Sequence, residues 1–386
     1  MRKTIGVAAK ACILPLVAAL CAGCATGANG VRAALAPYVD GGEIAGVVSV
    51  LSDPEGNLTV DCLGWADAEN RRAMTDDTLF AVFSMTKTFT GAAVMAAIDE
   101  GRMSLDDKVS KYLPEFGGVK CAKGPLKREI TIRDLMCHVS GARGGYPIVA
   151  RDIPLREVAR KMAASALKEQ PGETFFYGNS WIDSAAAALE VAVGEPFEKW
   201  LDRKILRPLG MVDTTFFPDE DQLKRLVKAY TTKGGPFVPA ADKCAGQLIF
   251  PRKNKVYPCA AAGLFSTPRD MIRFSRMLAG HGEFEGRTII SRKTFDGIFA
   301  VKQTPPDIKQ AYTAGSWIDG DWFGHEGAMR TDQRANLKTG HARVFFIQTE
   351  NKAGKAFFSA KRDWHAAADR MQNTATPEEW RIAPRD

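Results

Sequence analysis

Beyond the "CAGC" at residues 21–24, the sequence has no CxxC pair and no grouping of His, Cys, Asp and Glu at metal-ligand spacing. A zinc module or a catalytic metal therefore finds no ligand set in it. It has no dense run of lysine or arginine, although the formal charge is +7, from 52 basic and 45 acidic residues. Arg2, Lys3 and Lys10 account for three of those charges, which leaves 7 − 3 = +4, scattered. A nucleic-acid surface needs clustered cations, usually with interleaved aromatics, so no nucleic-acid partner is expected. No internal period marks a solenoid. The apolar run near the start, "ACILPLVAAL", is too short to span a bilayer comfortably.

What is present is ordinary for a globular protein. The chain has 386 residues, 45% apolar and 25% charged. That length suits two domains, or one large domain with two lobes. Residues 1–23 read as a signal peptide, with a basic start and an apolar stretch. "CAGC" then ends in Cys24 and resembles a lipoprotein signal, in which that cysteine is lipidated. Residues 24–30 follow as a tether, and simple secretion or a retained anchor is the alternative. Five cysteines remain: Cys62, Cys121, Cys137, Cys244 and Cys259. At most two disulfides can form among them, and Cys62 and Cys137 read as buried thiols in apolar settings.

Strand signals lie at both ends of the chain. "GVVSVLS" and "LTVDCLGWAD" read as a hairpin across the turn-rich "DPEGN". "WFGHEGAMRTDQRA" and "ARVFFIQTEN" read as strands near the C-terminus, before a closing helix in "SAKRDWHAAADRMQ". Helices fill the middle: "SMTKTFTGAAVMAAIDEG", apolar nearly all round; "ITIRDLMCHVSG", ending near Gly141; the Ala-rich "SWIDSAAAALEVAVG"; and "STPRDMIRFSRMLAG", with Thr267 as N-cap and Pro268 first. The economical arrangement is α+β. One antiparallel sheet joins both chain ends (about 31–80 and 295–372), flanked by helices. A helical lobe (about 81–294) is inserted, and residues 373–386 form a tail.

Three short stretches carry chemistry. In "FSMTKTFT", Ser84 and Lys87 share one face of the first helical turn. The helix start favours negative charge at the hydroxyl, and a buried lysine can lose enough solvation to act as a base. In "PGETFFYGNS", Tyr177 can relay a proton beside a lysine, and Asn179 offers both a donor and an acceptor. In "WFGHEGAM", His325 follows apolar residues, and Gly327 lets a substrate approach the backbone. Taken singly these stretches are weak, since a surface helix turn, a structural loop tyrosine and a packed strand histidine would look the same.

Together, in this order, they resemble the serine β-lactamase and penicillin-binding-protein superfamily. The similarity is to class C β-lactamases and the related esterases and D-amino peptidases. It covers about residues 31–372. "LFAVFSMTKTFTGAAVMAAIDEGRMSLDDKVSKYLPEF", "PGETFFYGNSWI" and "AAGLFSTPRDMIRFSRML" support it. The resemblance implies that Ser84 forms an acyl-enzyme while Lys87 and Tyr177 share the proton work. It implies that Asn179 orients the substrate and that the N–H groups of Ser84 and Ala328 stabilise the oxyanion. It implies no metal or organic cofactor, and a small-molecule or peptide substrate. His325 stands where class C β-lactamases usually carry lysine, which argues against strong β-lactamase activity. A second third-motif candidate, "KTG" at Lys338–Gly340, reads instead as a turn between the last two strands. His138 reads as a structural hydrogen-bonding residue, His281 as a surface turn, and Glu326 as pointing away from the site. The expectation is an esterase or D-amino peptidase of the cell envelope, membrane-anchored through Cys24. A true β-lactamase and a non-catalytic envelope binding protein are the alternatives.

Overall fold

The computed structural model describes residues 30–143, 153–232, 236–240, 256–350 and 355–376. The expected signal peptide, Cys24, the tether as far as residue 29, Cys244 and the tail beyond Thr376 lie outside the described residues.

Seven antiparallel strands form the main sheet: β1 (Gly46–Ser52), β2 (Leu58–Asp67), β3 (Arg72–Ala73), β4 (Trp317–Asp319), β5 (Trp322–Glu326), β6 (Thr331–Asn336) and β7 (Ala342–Phe346). Their spatial order is β4-β5-β6-β7-β1-β2-β3. The two chain ends meet where β1 pairs with β7, Val50 opposite Val344. The α+β architecture with a sheet built from both ends is thus as the sequence implies. The stretch expected as strand from Trp322 onward divides in two. A tight turn at Gly327–Arg330, closed by the Arg330 N–H donating to the Gly327 carbonyl at 2.9 Å, reverses the chain. Arg330 sits there at φ 71°.

Side chains alternate across the sheet. His325, Gln333, Val344 and Val50 stand in one cross-strand row, and Glu326, Asp332, Phe345 and Ser49 in the row behind it. Helices α1 (Val31–Asp40) and α6 (Lys355–Gln372) cover the back face, where Trp364 donates to Ser49 and packs on Phe345 with ring centroids 4.8 Å apart. The front face packs on α2 (Thr86–Asp99) and α5 (Pro268–Ala279) in the main core. Between these, α3 (Leu155–Ala163) and α4 (Ser180–Val193) belong to the helical part.

Helix α2 is buried from Thr86 to Ala97, as its all-round apolar sequence requires. Phe89 stacks on Phe274 at 3.7 Å. Gly91 faces Ala314, whose carbonyl oxygen would lie 1.9 Å from any Cβ, so only glycine permits this approach. Thr267 caps α5 by accepting from the Asp270 N–H. The helix expected to run to Gly141 spans only Ile132–Met136, because His138 adopts φ 60°, a left-handed conformation that ends it. Cys137 is buried, and burial pushes its thiol up. Cys62, expected to be buried, is only half-buried. Cys121, Cys137 and Cys259 are free thiols.

Candidate active site

The site begins at a constrained turn. Val82 donates its N–H to the Leu264 carbonyl, and the short strand Phe80–Ala81 pairs with Phe265–Ser266. Phe83 then takes φ 46°, costly for a bulky residue by about 1–2 kcal/mol. This swings Ser84 into a 3₁₀ turn, Phe83–Met85, that leads directly into α2. Ser84 therefore precedes the α-helix proper by one turn and faces its N-terminus.

Lys87 lies one turn along, fully buried. Its Nζ is 3.1 Å from Ser84 Oγ, 2.6 Å from Asn179 Oδ1 and 2.9 Å from the Ala261 carbonyl oxygen. It also sits 4.7 Å from the centroid of the Tyr177 ring. Burial lowers its pKa to about 7, against the opposing pull of Cys259 and Asp183. About half of the lysine is then neutral at pH 7, against roughly one molecule in three thousand for an unperturbed side chain. The geometry fixes what the neutral form can do. Asn179 Oδ1 and the Ala261 carbonyl can only accept, so they take the two remaining N–H bonds. The lone pair is left facing Ser84.

Asn179 sits at the N-cap of α4, where its carbonyl accepts from the Ile182 and Asp183 amides while its side chain turns to Lys87. Tyr177 lies two residues earlier. Its hydroxyl is 3.3 Å from His325 Nε2. His325 Nδ1 is 2.7 Å from the Glu326 carbonyl, a pure acceptor, so Nδ1 carries the proton and Nε2 accepts from Tyr177. Burial, with the charges of Lys87 and Arg334, holds the His325 pKa well below its usual value, and the ring is neutral.

Gly327 brings the end of β5 onto the nucleophile turn. A Cβ there would lie 2.5 Å from the Val82 carbonyl oxygen and 2.1 Å from Thr331 Oγ1. Ala328 follows in the turn and is exposed. Ser84, Lys87, Tyr177, Asn179, His325 and Gly327 are thus brought together from three separate segments. Lys338 is not among them. It occupies the turn between β6 and β7 with its side chain 75% exposed, 3.9 Å from Asp321.

Several neighbours carried no clear signal in the sequence. His138 packs against Tyr177 with ring centroids 4.6 Å apart and accepts from the Gly178 N–H through Nδ1. Tyr312 and Trp317 complete an aromatic wall, Trp317 stacking on Tyr177 at 6.3 Å. Glu326 turns to the back face, toward Arg334 and Lys361. Asp183, buried in α4, accepts from the Tyr257 hydroxyl and the Ala261 N–H. A lone aspartate inside an Ala-rich buried helix was its one visible mark.

Comparison with known proteins agrees with this fold. Residues 31–370 match the Beta-lactamase family. AmpH of Escherichia coli K12, a D-alanyl-D-alanine-carboxypeptidase/endopeptidase, is 32% identical over 204 residues, 51% of this chain and 48% of that protein. Esterase EstB of Burkholderia gladioli is 28% identical over 297 residues, 68% of this chain and 73% of that one. The solved structure of simvastatin synthase, LovD, of Aspergillus terreus has the same fold, with a TM-score of 0.72 at 21% identity over 89% of this chain and 98% of that one. The chain belongs to the β-lactamase family and is a serine hydrolase of that family.

Proposed function

We propose that the protein forms an acyl-enzyme at Ser84 and hydrolyses an ester or amide, as an esterase or D-amino peptidase. The observation that carries this reading is the buried Lys87 amine, its Nζ within hydrogen-bond distance of Ser84 Oγ and of two oxygens that can only accept. Neutral Lys87 takes the Ser84 proton as Oγ bonds to the substrate carbonyl carbon. The carbonyl oxygen becomes an oxyanion between the N–H groups of Ser84 and Ala328, where one donor is worth about 10²–10³ in rate. Collapse expels the leaving group, which takes the proton back from the Lys87 ammonium. Tyr177, whose ring centroid lies 4.7 Å from Lys87 Nζ, shares the proton work, and His325, by accepting its O–H, holds the phenol in place. Water then attacks the acyl-enzyme, with Lys87 again as base; the Ser84 Oγ–acyl bond breaks as Lys87 returns the proton to Oγ, and the acid product leaves. Asn179 orients both Lys87 and the substrate carbonyl or amide.

The neutral His325 ring weighs against a β-lactamase, because it offers no standing positive charge to a substrate carboxylate. The names of two relatives, an esterase and a D-alanyl carboxypeptidase/endopeptidase, supply the substrate classes. The reading extends to the cell envelope, with Cys24 lipidated, on the strength of the basic and apolar start ending in "CAGC". A panel of p-nitrophenyl esters, D-alanyl peptides and nitrocefin tests it. Turnover of an ester or a D-alanyl peptide should exceed that of nitrocefin; the reverse order would favour a β-lactamase.

A further inference from the structure

The buried carboxylate of Asp183 has no place in the scheme above, yet it is one residue removed from the base. Its Oδ2 accepts from the Tyr257 hydroxyl at 2.5 Å and its Oδ1 from the Ala261 N–H at 3.3 Å. Ala261 in turn offers its carbonyl to Lys87 at 2.9 Å. The same loop is tied to α2 once more, where Thr90 Oγ1 donates to the Ala260 carbonyl at 2.6 Å. Asp183, Tyr257 and Ala261 are all buried. A carboxylate whose two oxygens both accept hydrogen bonds is favoured in its charged form.

We propose that Asp183 is a positioning residue for Lys87. Through Tyr257 and Ala261 it fixes the carbonyl that takes one lysine N–H, and its buried charge sets the pH at which Lys87 becomes a base. The proposal rests on the reading of Lys87 as the base of Ser84. The groups facing Lys87 are Tyr177 from the loop before α4, His138 from the chain after Met136, His325 from β5, and Cys259 and Asp183. Burial keeps both histidines neutral, and the Cys259 thiol, pushed up to about 12 by burial, is uncharged at neutral pH. That leaves Asp183 as the anion in this set. It opposes the desolvation that would otherwise make the lysine too weak a base.

The test is the pH profile of kcat/KM on a p-nitrophenyl ester, with folding checked by circular dichroism. The wild-type profile should rise with pH through about 7, as Lys87 loses its proton. Asp183→Asn should move that midpoint down by about one unit, the low end for loss of a nearby opposite charge. One unit below the wild-type midpoint the variant then keeps about half of its own plateau, against about a tenth for wild type. Asp183→Ser, also neutral, should shift it the same way and serves if the asparagine variant does not fold. A purely structural role would lower the plateau and leave the midpoint in place, and that result overturns the proposal. Lys87→Ala separates the two readings. If it leaves the acid limb unchanged, the assignment of Lys87 itself fails, and the role of Asp183 falls with it. If it removes the limb while the Asp183 variants do not move it, only the role of Asp183 fails.

Discussion

Gly327→Ala should disable the enzyme without unfolding it. The added Cβ would sit 2.1 Å from Thr331 Oγ1 and 2.5 Å from the Val82 carbonyl oxygen. Ordinary contact lies about 1 Å or more further out. Val82 cannot retreat, since its N–H is bonded to Leu264 and Phe83 beside it is already in a strained conformation. Nor can Thr331, whose carbonyl accepts from the Gly327 N–H at 2.8 Å. The β5–β6 turn must therefore move about 1 Å from the Ser84 turn, which separates the two proposed oxyanion donors. A misplacement of that size costs about 10²-fold, and loss of one donor about 10²–10³. Overpacking at one position costs about 1–3 kcal/mol of stability, little enough to leave the fold intact. Kinetics on a p-nitrophenyl ester should show kcat reduced about 100-fold and KM changed much less. Adding Thr331→Ala should restore little, because the Val82 contact remains. A folded Gly327→Ala enzyme with kcat within twofold of wild type would refute the reasoning.

Four other outcomes are expected. His325→Ala should lower kcat/KM about tenfold or more, by releasing the Tyr177 hydroxyl. Lys338→Ala, on an exposed turn, should stay within about twofold, and the opposite pattern in steady-state kinetics would mean that the wrong third motif has been chosen. Lys361→Ala should cost about 3–5 kcal/mol in denaturant unfolding. It leaves the Glu326 and Asp332 carboxylates, 2.5 and 2.9 Å from the Lys361 ammonium, to share Arg334, so one negative charge on the buried back face of the sheet goes unmatched, and a loss below about 1 kcal/mol would contradict this. Cys24→Ala should release the protein from the membrane fraction or block its processing; unchanged membrane association with normal processing would argue for another anchor.

What the sequence discloses tracks how local each feature is. Ser84 and Lys87 are three residues apart, so a helical turn alone puts them side by side. Tyr177, Asn179 and His325 come from distant segments, and only the order of the motifs joined them. Their contacts are tertiary: the His325 tautomer depends on the Glu326 carbonyl, and the Tyr177 hydroxyl on that tautomer. That Lys338 lies in a turn was legible because "KTG" is followed at once by an apolar strand. The sequence misled where backbone conformation overrode pattern. Periodicity carried a helix on toward Gly141, but His138 adopts a left-handed conformation, and "GAMR" folds as a turn inside what reads as one strand. Asp183 escaped notice because its partners, Tyr257 and Ala261, lie more than 70 residues on, and nothing in the sequence there points back to it.

The central claim is that Ser84, driven by a neutral Lys87, carries the acyl group. Intact-mass spectrometry after treatment with a fluorophosphonate probe, followed by peptide mapping, tests it most directly. Wild type should gain one adduct, on Ser84, at a rate that rises with pH through about 7. Ser84→Ala should gain none while keeping its circular dichroism spectrum. An adduct that persists on Ser84→Ala, or no adduct on a folded wild-type protein, would contradict the account.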